Sequence, residues 1–129
     1  MLTPSVSENL SEQYPGLVLP RFSTPRTPDR PTLGGAVARA ARSLGLTLMP
    51  HQRMISDVAG EVLPSGRMAY PVVVLLLPRR GGKTKLLLPT FLQRASWLPG
   101  ARCWYTAQTG SDAGLTFRQE WLPELAGLS

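Results

Sequence analysis

The stretch YPVVVLLLPRRGGKT, residues 70–84, decides how the rest of the chain is read. Residues 72–77 are six consecutive apolar side chains, three valines and then three leucines. An apolar run of that length, closed by a proline and a pair of glycines, predicts a buried strand of the parallel-sheet type. The residues after Thr84 suit a helix. Strand, glycine turn, Gly82-Lys83-Thr84 and helix is the order of a phosphate-binding P-loop. In such a loop Gly81 and Gly82 let the backbone curl so that amide N–H groups face phosphate oxygens. The start of the next helix adds unpaired N–H groups and a partial positive charge. Lys83 would reach the β- and γ-phosphates, and Thr84 would offer its hydroxyl to Mg²⁺. The pattern departs from the usual one at Leu77, where a glycine is common. A bland alternative is a strand–turn–helix with a solvated lysine, which leaves Arg79, Arg80 and Lys83 crowded on one turn without a reason.

Working outward, residues 101–106 predict a second strand with Cys103, Trp104 and Tyr105 at its core. Strand–helix–strand over residues 72–106 is long enough for a right-handed crossover. Pro89 falls within the intervening helix and is expected to kink or split it. Ser111 is a candidate cap for a last helix reaching residue 125, with Leu115, Phe117, Trp121 and Leu122 as its buried side. Upstream, residues 33–44 and 48–63 predict two helices. The first has Val37, Ala40, Ala41 and Leu44 on one face. The second begins at Pro50 and carries Met54, Ile55, Val58 and Val62 as an apolar stripe. At its entrance Gln52 could pair with an adenine edge, because an amide both donates and accepts. His51, the one histidine, reads as an ordinary helix-cap neighbour. Residues 1–31 hold prolines at 4, 15, 20, 25, 28 and 31 and predict an extended or disordered leader. Its arginines, Arg21, Arg26 and Arg30, suit a solubilising tail or a basic arm touching DNA or a partner.

The whole chain has 129 residues, with 14 Lys plus Arg against 8 Asp plus Glu and a formal charge of +6. That balance suits a polyanionic partner, nucleotide or nucleic acid. One cysteine excludes an internal disulfide and a cysteine-based metal site. No signal peptide or transmembrane span is apparent.

Several of these pieces together resemble the N-terminal part of the large subunit of tailed-bacteriophage terminases, the DNA-packaging motors. They are Met49-Pro50-His51-Gln52 before a helix, the 71–84 run, Trp104-Tyr105-Thr106-Ala107-Gln108-Thr109, and Phe117 and Trp121 after it. The resemblance covers residues 44–121. In that family the P-loop lacks its first glycine and has an arginine four residues before the lysine, as Leu77 and Arg79 do here. The resemblance implies an incomplete P-loop NTPase domain, α/β with a RecA-like parallel sheet, over residues 32–129 behind the disordered 1–31 leader. It implies that the full-length protein couples ATP hydrolysis to DNA packaging. It assigns Gln52 to adenine, Arg79, Gly82, Lys83 and Thr84 to the triphosphate and its Mg²⁺, and Arg79 also to sensing the γ-phosphate. Arg80 and Gly81 belong to the same loop. Implied cofactors are ATP and Mg²⁺. Implied partners are double-stranded DNA, the portal and small terminase subunits, and further copies in a homo-oligomeric motor. The implied location is the cytoplasm of a phage-infected or prophage-bearing bacterium.

The family's acidic Walker B strand and nuclease carboxylates are not in this sequence, so hydrolysis by this chain alone is not expected. The expectation is a front segment of a motor: a truncated product, a split gene or a remnant. Two other readings fit parts of the sequence, a helicase-like P-loop ATPase fragment and a non-catalytic basic module binding DNA or a partner.

Overall fold

Alanine-rich sequence with one apolar face makes the central helix. A computed structural model describes residues 4–128. In it α1 is Pro4–Gln13, α2 is Gly34–Ser43, α3 is Pro50–Ala59 and α4 is Lys83–Trp97. The C-terminal part is α5, Gly110–Thr116, a π-helical turn Phe117–Trp121, and α6, Leu122–Ala126. α2 packs on both α3 and α4. Its buried side is Val37, Ala38 and Ala41, facing a core that includes Met54 of α3 and Leu86 and Leu88 of α4. Small side chains on α2 permit the close approach. A methyl group built on Gly34 would lie 1.9 Å from the Asp57 carboxylate and 2.7 Å from the Asp57 Cα, so only glycine fits where α2 crosses α3.

The parallel sheet expected from the sequence is not present. The chain is 48% helical and 3% strand, and the described residues contain no sheet. Among the described residues, pairing is confined to two isolated antiparallel bridges, Thr32 with Glu61 and Val62 with Met68. This overturns the P-loop parallel-sheet fold class. The physical reason lies in what a strand requires. Residues 72–77 are irregular in backbone, and residues 101–107 are as well. Neither run finds a ladder partner, and a strand without one leaves its N–H and C=O groups unpaired. Val74 is 78% exposed and Leu76 is 93% exposed, the opposite of the burial expected of them. Cys103, expected in a buried strand, is exposed.

Three other local expectations changed. Helix α4 runs continuously through Pro89, which is fully buried against the core. The α3 helix stops at Ala59, with Gly60 as its C-cap, short of the predicted residue 63. The last helix is capped by Thr109, whose hydroxyl accepts from the Asp112 N–H at 3.1 Å, and not by Ser111. Its π-helical turn brings Trp121 onto α4, edge-on to Phe91 with ring centroids 5.2 Å apart. Lys85 of α4 pairs with Glu124 of α6.

The leader is tied to α3. Residues 5–14 contain no proline, and Pro4 sits at the first position of α1, where its missing N–H is harmless. The remaining prolines lie in the irregular strap that follows. Tyr14 donates its hydroxyl to Asp57 Oδ2 at 2.5 Å. Arg26 donates to the Asp57 carbonyl at 2.9 Å and to the Arg30 carbonyl at 2.8 Å. The Thr27 N–H donates to the buried Glu61 carboxylate at 2.7 Å. Residues 1–3 of the leader, and residue 129, lie outside the described residues.

The Tyr14 contact makes a prediction about alkaline stability. Burial, and then the hydrogen bond and charge of Asp57, raise the Tyr14 hydroxyl well above its ordinary pKa. The folded state therefore favours the neutral phenol. Its contribution is complete below about pH 10, the unfolded value, and is lost as pH rises from there towards the folded value. Urea midpoints at pH 8 and pH 11 are expected to fall more for the wild type than for Tyr14→Phe. At pH 8 the variant should be less stable by about 1.5–3 kcal/mol, the range for a hydrogen bond to a charged group.

Among the described residues, no helix is long and apolar enough to cross a membrane.

Candidate functional site

The turn at residues 78–82 brings two positive-φ residues together. Arg80 has φ 61° and Gly82 has φ 85°. The Gly81 N–H closes the turn on the Pro78 carbonyl at 2.9 Å. Gly82 is the N-cap of α4, and Lys83 and Thr84 are its first helical residues.

The first turn of α3 holds this turn from behind. His51 Nε2 lies 2.7 Å from the Gly81 carbonyl oxygen. Gln52 Nε2 donates to the Gly82 carbonyl oxygen at 3.0 Å. Two successive side chains thus take two successive carbonyls. In a trans peptide the C=O of one residue and the N–H of the next point in opposite directions. Holding the Gly81 and Gly82 carbonyls against α3 therefore turns the Gly82 and Lys83 N–H groups away from it. The N–H groups of Gly82, Lys83, Thr84 and Lys85 donate to no protein acceptor among the described residues. Leu86 is the first to return to the helix, on the Gly82 carbonyl at 3.1 Å.

The charges at this end of α4 run against its dipole. The first turn holds Lys83 and Lys85 and no acidic residue. A cation at a helix N-terminus is unfavourable by about 0.3–1 kcal/mol, and a bound anion reverses the sign. Lys83 is exposed and makes no ion pair among the described residues, while Lys85 is taken by Glu124. Arg79 and Arg80 are exposed beside them, also without a carboxylate partner. Thr84 is half-buried, with its hydroxyl unengaged.

Gln52 is in the right place but is not free for a base. It is 4% exposed. Its Oε1 accepts from the Met49 N–H at 2.8 Å while its Nε2 holds Gly82. Both ends of the amide are occupied, so the side chain braces the turn. The contact of His51 is with a residue 30 positions away along the chain. A residue at the entrance of a helix gives no sign of such a partner.

Gly82 admits no side chain. A methyl group there would sit 2.5 Å from Gln52 Nε2, on a backbone with φ 85°. Gly82→Ala is expected to destabilise the fold by about 1–2 kcal/mol from the left-handed conformation alone, more with the displaced amide. Thermal unfolding measures it. A loss below about 0.5 kcal/mol, the range of neutral surface substitutions, would mean the turn is not held in this shape.

A cleft of about 1090 Å³ lies beside the turn. Its walls are Met54, Ile55 and Val58 of α3, Val18 and Phe22 of the strap, and residues 72–77. The lining is mostly apolar, with Arg21 as its one arginine. It also reaches Pro78 and Gly81 of the turn and His51 behind it. A phosphate reading stands on the amides and cations of the turn, since most of the cleft wall is apolar. Trp104 and Gln108 of the 101–109 segment are exposed and make no part of the turn.

A divalent cation would find one protein ligand here, the Thr84 hydroxyl. The described residues contain no group of three or more His, Cys, Asp or Glu side chains placed to hold a metal. Mg²⁺ commonly retains waters and takes phosphate oxygens, so a single hydroxyl suits a cation carried in by a nucleotide. It does not suit an independent metal centre.

Compared with protein-family models, curated proteins and solved structures, the chain matches none.

Proposed function

We propose that residues 78–84 form a polyphosphate-binding site, and that the chain is an ATP-binding segment similar to the front part of a phage terminase large subunit. One observation carries the site. The Gly81 and Gly82 carbonyls are tied to α3, and the amides that follow them are left without acceptors at a helix start that bears an unpaired lysine. Such a place stabilises negative charge through N–H groups, dipole and cation together. In this reading Lys83 and Arg79 contact the terminal phosphates, with Arg80 beside them. Thr84 supplies one oxygen to the Mg²⁺ that accompanies ATP, and Gln52 keeps the turn in place. The wider assignment rests on the sequence motifs. DNA, the portal and small terminase subunits, other copies of the chain and the host cytoplasm belong to that assignment.

The residues present fit binding better than hydrolysis. Bound Mg²⁺ would neutralise phosphate charge, and among the described residues no group of three or more His, Cys, Asp or Glu side chains is placed to hold it.

A second reading has an observation of its own. Arg79, Arg80, Arg102 and Arg118 are all exposed, which suits a basic surface for DNA. Titration of a fluorescent ATP analogue and, separately, of duplex DNA distinguishes the two. Saturable ATP binding that is competed by inorganic triphosphate supports the nucleotide site. Salt-sensitive DNA binding with no nucleotide binding removes it and leaves the basic module.

A further inference from the structure

His51 sits in the first turn of α3, half-buried, with Nε2 2.7 Å from the Gly81 carbonyl. A carbonyl oxygen only accepts, so Nε2 must carry the proton and donate it. We propose that His51 is a positioning residue for the triphosphate: by holding the Gly81 carbonyl it locks the Gly81–Gly82 peptide plane with the Gly82 N–H facing the ligand. This rests on the polyphosphate reading of residues 78–84 and deepens it.

The argument comes from which groups could otherwise fix that plane. Glycine on both sides leaves the peptide unusually free to rotate. The Gly81 N–H bond to Pro78 fixes the preceding peptide, not this one. Gln52 fixes the following one, through the Gly82 carbonyl, and its other end is used on Met49. No other side chain bonds to the Gly81 carbonyl among the described residues. Without His51 that peptide can flip, and its carbonyl dipole then faces the anion in place of its N–H. The effect is repulsive where it had been attractive, so one lost hydrogen bond acts on the ligand twice.

The test uses the full chain and a fluorescent ATP analogue, with wild type, His51→Ala, His51→Gln and Lys83→Ala compared at one salt concentration. Glutamine places an N–H donor near the position of Nε2. His51→Ala is expected to weaken binding about tenfold, of the order of one oriented hydrogen bond. His51→Gln is expected to recover most of it, which a merely space-filling role would not produce. Long-range ¹H–¹⁵N spectra of the wild-type imidazole are expected to show a proton on Nε2. Should His51→Ala fail to fold, the glutamine variant and the tautomer decide. An Nδ1–H neutral tautomer overturns the inference, as does unchanged affinity in His51→Ala while Lys83→Ala binds poorly. Failure of the wild type itself to bind overturns the polyphosphate reading beneath it, a distinct result.

Discussion

Glu61→Ala is expected to remove about 3 kcal/mol of stability, the low end of what breaking a buried ion pair costs. Glu61 has no exposed surface and stands just beyond the end of α3. Its Oε1 accepts from the Thr27 N–H at 2.7 Å and lies 3.7 Å from Arg26. Its Oε2 makes no hydrogen bond and has Arg30 at 4.0 Å. Removing the carboxylate orphans the Thr27 N–H and leaves two guanidinium groups without their counter-charge in a chain that is already positive. Those side chains are 31% and 27% exposed, so water replaces part of the loss, which is why the low end applies. Glu61→Gln keeps an acceptor for Thr27 and should lose less. Urea unfolding of both variants, with proteolysis of the strap, measures this. A loss below about 1 kcal/mol for alanine, no more than one ordinary hydrogen bond, would show that the strap is not held by this residue.

Lys83→Ala is expected to do the reverse, sparing the fold and removing the ligand. The lysine is exposed, unpaired and at the wrong end of a helix dipole. Its removal should leave stability unchanged or raise it by a few tenths of a kcal/mol. Its loss from a charge-assisted contact with phosphate should weaken triphosphate binding by about ten- to a hundredfold, from roughly 1.5–3 kcal/mol. The two observables separate function from folding at a single position. Equal affinity in wild type and variant would take Lys83 out of the site.

The two predicted upstream helices and the one after the glycine turn were legible in the sequence because their signals are local. The spacing of Val37 and Ala41, the proline at the start of α3 and the glycine pair before Lys83 each act within a turn or two of chain. The sheet was not legible in the same way. Residues 72–77 and 101–106 have the composition of strands, but composition does not supply a partner, and each lies unpaired. The turn was found from the Gly-Lys-Thr string, while its support was not. His51 and Gln52 meet it across 30 residues. Tyr14 meets Asp57 across 43, which is how a proline-rich leader comes to be fastened. Contacts of that reach leave no period in the sequence. The first turn of α4 holds two lysines and no acid, and a local rule broken in this way is where a functional site is expected.

The most direct measurement is a titration of the ¹⁵N-labelled chain with inorganic triphosphate, following backbone amides. If the carbonyls held by α3 turn the next N–H groups towards the ligand, the Gly82, Lys83 and Thr84 amides should move first and furthest, saturating together. Shifts spread over exposed arginines, with those three amides unmoved, would contradict it.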